Sequence, residues 1–184
     1  PPDKQGAGPW VPDRDVNVAS TRIHAGALQL GGGGSTGQIG TGAIAIAQDA
    51  RLAVDRSDAF TLANDIGGEG ALWQLGAGMT TLTGNNSHGG GTVVKRGTLS
   101  LGSSTALGTG TLSLDDGTTL DFAADHLTVA NAVVMTGTQD PTFDTRTFNA
   151  TLTGGITGAA DLTKTRAGTL ILGAANNSYT RATT

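Results

Sequence analysis

The residues able to do chemistry in this 184-residue chain are few, and cysteine is not among them. Its absence removes disulfide frameworks, thiolate metal sites and cysteine nucleophiles together, leaving hydroxyls, carboxylates and three histidines. Gly33-Gly34-Ser35-Thr36-Gly37 satisfies the G-x-S-x-G pattern of a nucleophile elbow, and Gly32 to Gly37 satisfies G-x-G-x-x-G. Both patterns fall in a run of four glycines that matches by composition. Neither opens a helix on which an oxyanion or a phosphate would be stabilised, so the stretch reads as a mobile loop. His24, His88 and His126 stand apart, without H-E-x-x-H spacing, and read as surface or corner residues. The densest acidic group is Asp115-Asp116 with Asp121 and Asp125. Paired carboxylates can hydrolyse glycosidic bonds or hold calcium. Here Asp-Asp-Gly is a turn sequence, Asp121 belongs to a strand and Asp125 begins a corner, so nothing makes them converge. No residue takes a catalytic, cofactor-binding or metal-ligating role, and the chain reads as non-enzymatic.

The other candidates are aromatic or amide side chains. Trp73 alternates with Leu72, so one of the two points outward, either to anchor a partner or to pack; Trp10 lies in the Pro-rich lead. Asn85-Asn86-Ser87, Asn149-Ala150-Thr151 and Asn176-Asn177-Ser178 are formal glycosylation sequons that read instead as corner residues. Lys and Arg number 11, scattered singly, against 15 Asp and Glu, so no basic stripe exists to neutralise phosphates or anionic lipid. Nucleic acid and direct membrane insertion are therefore excluded as expectations. The sequence shows neither a run of about 18 apolar residues nor an N-terminal signal pattern, and reads as a segment of a longer chain.

The elements that must position these residues are strands. Charged residues make up 14% and hydrophobic ones 37%, so the chain has a core to bury, and no 3.6-residue apolar period runs through it. Short alternating tracts recur instead after Gly, as in Gly26-Ala27-Leu28-Gln29-Leu30, Gly97-Thr98-Leu99-Ser100-Leu101 and Gly110-Thr111-Leu112-Ser113-Leu114. Tracts opening at Gly26, Ala50, Gly70, Gly97, Gly117, Ala150 and Gly168 have a mean separation near 24 residues, the length of one solenoid coil. Two longer offsets overlie that period. Asp58 to Asn64 matches Asp125 to Asn131 at an offset of 67, and Ile66 to Gly78 aligns on Ile156 to Gly168 at 90. The difference of 23 is one extra coil between about Val133 and Gly155. The predicted fold is an all-β, right-handed parallel β-helix of about seven coils over residues 16–184. Residues 1–15, with four of the five prolines, form a linker or tether, and two imperfect repeat copies span about 58–122 and 125–184.

From Ile66 onward the residues resemble the passenger-associated transport repeat of bacterial autotransporters. The first copy supplies Leu72, Gly76 and Gly78, then Thr81-Leu82-Thr83-Gly84-Asn85-Asn86-Ser87, Gly90-Gly91-Thr92-Val93-Val94 and Gly97-Thr98-Leu99-Ser100-Leu101-Gly102. The second supplies Leu162-Thr163-Lys164, Gly168-Thr169-Leu170-Ile171-Leu172 and Asn176-Asn177-Ser178-Tyr179. The copies depart from the pattern at Trp73-Gln74, at His88 in place of Tyr and at Arg166 in place of Gly. The resemblance implies a surface-displayed or secreted passenger whose partner is its own C-terminal outer-membrane β-barrel. It further implies that the membrane-proximal coils form first and seed the rest, an autochaperone role, beside an adhesive surface that serves virulence. The rival readings are an accessory stalk of an autotransporter serine protease and a polysaccharide-active β-helix.

Overall fold

A computed structural model describes residues 3–12, 14–180 and 182–184. Every strand pairing is parallel, and among the described residues there is no helix, so the chain is a parallel β-solenoid. Three faces wind about one core. The second face is continuous, with β2 (Pro9–Trp10), β4 (Ala27–Leu30), β6 (Arg51–Val54), β9 (Ala71–Gln74) and β11 (Thr92–Val94) followed by β13 (Leu112–Leu114), β16 (Val133–Met135), β19 (Ile156–Gly158) and β22 (Ser178–Tyr179). Nine strands on one face make about eight turns. The third face holds β7 (Ala59–Leu62), β10 (Met79–Leu82), β12 (Thr98–Leu101), β14 (Thr119–Phe122), β17 (Thr142–Asp144) and β20 (Thr163–Thr165).

The first face is split. Its early part holds β1 (Asp3–Lys4), β3 (Thr21–Ile23), β5 (Ile44–Ile46) and β8 (Ile66–Gly68), and its late part holds β15 (Leu127–Val129), β18 (Ala150–Leu152) and β21 (Leu170–Leu172). Between them two coils cross the face without a regular strand. Single backbone bonds carry the stacking there, from the Ser87 amide to the Ile66 carbonyl and from the Thr109 amide to the His88 carbonyl.

Register explains the core. Inward positions stack as Leu28, Leu52, Leu72, Thr92, Leu112, Val133 and Ile156 on the second face, at steps of 24, 20, 20, 20, 21 and 23 residues, a mean near 21. On the third face Leu62, Leu82, Leu101 and Phe122 stack in the same way, each at most 1% exposed. Aliphatic side chains at a parallel spacing of about 4.8 Å fill such a column without large rings, which accounts for the 4% aromatic content. Glycine serves close approach where coils stack at corners. A Cβ at Gly76 would lie 2.1 Å from the Arg56 carbonyl oxygen, and one at Gly168 would lie 1.8 Å from that of Phe148.

The repeat offsets acquire a geometric meaning. The tracts opening at Gly26, Ala50 and Gly70 lie on the second face, those at Gly97 and Gly117 on the third, and those at Ala150 and Gly168 on the first. The series moves on by one face twice, which is why its mean exceeds the true coil. The offset of 67 is three coils and one face, since Phe60 stacks through Thr80 and Leu99 to Leu120 and the next face opens with Leu127. The offset of 90 is four coils and one face. Equivalent repeat segments therefore sit one face apart around the axis, because a Gly-led alternating tract suits any of the three.

The lead expected as a tether contributes the first coil. Asp3–Lys4 pairs with β3, and Pro9–Trp10 pairs with β4. Proline is tolerated in such an edge strand, where a missing amide donor breaks no interior ladder. Trp10 packs half-buried against the end of the core. At the other end Leu170 and Leu172 are only half-buried, whereas Ala150 and Leu152 beneath them are 2% and 0% exposed.

Candidate functional site

The corners are where polar side chains gather, and most are occupied by bonds between coils. Asp15, Asp65, Asp116, Asp125, Asp140 and Asp161 each accept a backbone N–H from the following coil, at Gln38, Asn85, Gln139, Asn149, Asp161 and Ala182. Winding leaves one amide per coil pointing out of each corner, and an Asp side chain one coil back reaches it. The Asn149 amide is the main cause holding the Asp125 carboxyl below its ordinary range. Asparagines work in the opposite direction. Asn64 donates to the carbonyls of Gly40 and Gly42 one coil earlier, and Asn131 to those of Gly108 and Gly110. Asn86 accepts from the Ile66 amide at 2.9 Å, and Asn177 from the Ile156 amide at 3.0 Å. The corner reading of the sequon segments thus has a concrete basis, with the Asn149 side chain accepting from the Thr169 amide.

The elbow-like glycine run is not a loose loop. Arg56, 3% exposed, donates to the carbonyls of Ser35 and Gly37, while the Gly33 and Ser57 amides bond to the Asp55 and Gly34 carbonyls. Arg56 also stacks on Phe60 at 4.7 Å, and its hydrogen bond to Asp58 is the chief cause keeping that carboxyl below its usual range. One guanidinium fork satisfies several carbonyls that glycine leaves uncovered, which composition alone does not reveal.

The acidic group disperses. Asp115 holds Lys95 at 2.9 Å and Thr136, Asp116 caps a coil, and Asp125 caps another. Asp121 faces outward on β14 yet is 2% exposed, because Arg146 folds back over the sheet and grips both its oxygens at 2.8 Å. Ser100 donates to the same carboxylate. Sequence reading missed Asp144, which stands beside Asp121 in register one coil on and holds Arg166 at 3.0 Å. Two neighbouring carboxylates suggest acid chemistry, but each is committed to an arginine and Asp121 has both oxygens taken. The signal for the pair was present as Asp at positions 23 apart, one coil. We expect Arg146→Ala to lower stability by about 2 kcal/mol, less than for a fully buried pair because the arginine side chain is 35% exposed. Arg146→Lys should recover less than half of it, since a point charge cannot make both bonds. Urea denaturation of the three proteins checks this, and unchanged midpoints would remove the clamp.

The histidines do not meet. His24 lies 3.7 Å from Asp3 and His126 lies 3.3 Å from Asp125, both exposed. His88 departs from the expectation of a surface or corner residue: it is 0% exposed, inside the gap in the first face. Its Nε2 meets the Thr92 hydroxyl at 2.9 Å and its Nδ1 has no partner. Burial pushes its pKa down to about 4, against a smaller raising effect of the Ile66 backbone. Without a regular strand in these coils, a bulky side chain can turn inward and fill the space.

Trp73 is the outward residue of its alternating pair, with Leu72 and Gln74 buried on either side. Its indole carries the Arg51 guanidinium at 4.8 Å and the Lys95 ammonium at 5.8 Å, cations from the coils before and after. A hollow of about 380 Å³ opens beside it.

Residues 74–101 and 162–184 match the family model of the passenger-associated-transport-repeat. The chain carries this repeat twice, in agreement with an autotransporter passenger, and the matched segments make up under a third of its length. No curated protein and no solved structure matches the chain. The first match runs from Gln74 to the end of β12 and the second begins just before β20, and each contains an Asn that accepts an amide from the coil before it.

Proposed function

We propose that this solenoid is a non-catalytic stalk of an autotransporter passenger, and that its repeat-bearing coils act as a folding seed for the rest. The observation that carries the reading is the coincidence of the two transport repeats with a parallel solenoid. The repeat is that of secreted or surface-exposed passengers, and it is a structural unit, which favours a role in display over turnover. The partner in this reading is the parent's own outer-membrane β-barrel.

A solenoid coil touches only its neighbours, so folding starts where local packing is best and spreads outward. Leu99, Leu101, Leu112 and Leu114 are each at most 1% exposed and continuous on two faces, which makes the coils after the first repeat the favoured start. Leu170 and Leu172 are half-buried and join later, once another layer covers them. Pulse-labelled hydrogen exchange during refolding tests this. Amides of Thr98–Leu101 and Leu112–Leu114 should gain protection before those of Ala27–Leu30; simultaneous or reversed order would end the folding-seed role and leave only the stalk.

A further inference from the structure

The hollow beside Trp73 differs from every other polar corner. Among the described acidic residues only the side chains of Asp49 and Glu69 make neither a hydrogen bond nor an ion pair, the rest being held by amides, hydroxyls or cations. Both line this one hollow. The Gln48 and Arg51 side chains line it too and make no hydrogen bond, although Arg51 is stacked on the indole. The floor is backbone at Gly70 and Gly90, where no side chain fills the space. Asp49 holds a left-handed backbone with φ of 64°, and the Glu69 carboxylate reaches over Gly89, where a Cβ would come within 3.1 Å of it. Four side chains with unused hydrogen-bonding capacity, set around one aromatic wall, form a recognisable chemical pattern.

We propose that this hollow, at the edge of the second face between β6, β9 and β11, binds a neutral saccharide through one pyranose unit. A sugar hydroxyl both donates and accepts. Asp49 and Glu69 accept, Arg51 donates and Gln48 does both, while the indole offers an apolar wall to ring C–H groups. Two carboxylates against one guanidinium disfavour a polyanion, and the guanidinium with no third anionic ligand among the described residues disfavours a bare cation. The volume suits a mono- or disaccharide portion. This site stands independently of the folding-seed reading, because its residues lie outside the coils that reading invokes.

The test is a nuclear magnetic resonance titration of the 184-residue chain with maltotriose, chitotriose, lactose, trigalacturonate and calcium chloride in turn. At least one neutral sugar should shift the amides of Gln48 to Arg51 and Gly70 to Trp73, with the Trp73 indole, saturably at millimolar concentrations. A double variant, Asp49→Asn with Glu69→Gln, should bind at least tenfold more weakly while its other resonances stay in place. Asn tolerates the left-handed backbone, so the fold survives the change. The proposal is overturned if no neutral sugar moves these resonances at tens of millimolar, if only trigalacturonate or calcium does, or if the double variant binds like the parent.

Discussion

Leu101→Asp should leave the chain unfolded at ambient temperature. Leu101 is 0% exposed and stacks between Leu82 and Phe122 on the third face, with no polar partner in reach of a carboxylate. An unpaired charge in that column costs several kcal/mol, and a chain of this size holds only about 5 to 15 kcal/mol in all. Because a coil touches only its neighbours, the damage propagates by uncoupling the coils on either side. Leu101→Ala makes the graded comparison, at about 3 kcal/mol for the lost contacts and cavity. Circular dichroism with urea titration reads both. A Leu101→Asp protein that keeps the parent's β-signal and midpoint would show that the column is not the core. In the exported parent, the same change should leave the passenger protease-sensitive.

Acid should destabilise the fold through His88 in a defined window. Its folded pKa of about 4 lies below the ordinary 6.5, so between those values the unfolded chain binds more protons than the folded one. Stability is therefore full above about 6.5, falls as pH drops toward 4 and is then flat for this group. A shift of this size corresponds to about 3 kcal/mol. Asp58, Asp115 and Asp125, held below the ordinary 3.8, contribute stability that is lost only as pH falls through and below that value, so the windows separate. Replacing His88 by Gln, which can keep the bond to Thr92, should abolish most of the pH dependence between 4 and 6.5. Urea midpoints across that range check the slope, and an equally steep Gln variant would clear His88 of the effect.

The order of strands was largely legible because it depends on local rules. Gly-led alternation such as Gly97 to Leu101 encodes a strand with one face inward, and repetition near the length of a coil encodes stacking. Which face a tract occupies could not be read, since Gly-Thr-Leu-Ser-Leu on the third face and Gly-Thr-Leu-Ser-Leu on the second are the same string at Gly97 and Gly110. The Asn corner was legible as a turn, but not its bond to Ile66 twenty residues earlier. Polar interiors escaped as well. Gln74 and Thr92 occupy inward positions, where Gln74 meets its needs with the carbonyls of Gly76 and Gly78 and the Thr80 hydroxyl.

By itself the sequence determined a parallel all-β solenoid of short coils, the repeat that relates it to autotransporter passengers, and the absence of cysteine chemistry. These properties arise from composition and from spacing along the chain, which survive whatever the coils do in space. Only the tertiary structure decided that Asp121 is covered by Arg146, that His88 points inward and that the glycine run is held by Arg56. It alone placed Asp49, Glu69 and Trp73 around one hollow. Each of these depends on which residues one coil apart fall on the same face, and that is settled by the sum of all earlier coil lengths. A single residue added or lost at a corner changes the facing of every later strand. Neighbour relations across coils are a global property, whereas the strands that make them are a local one.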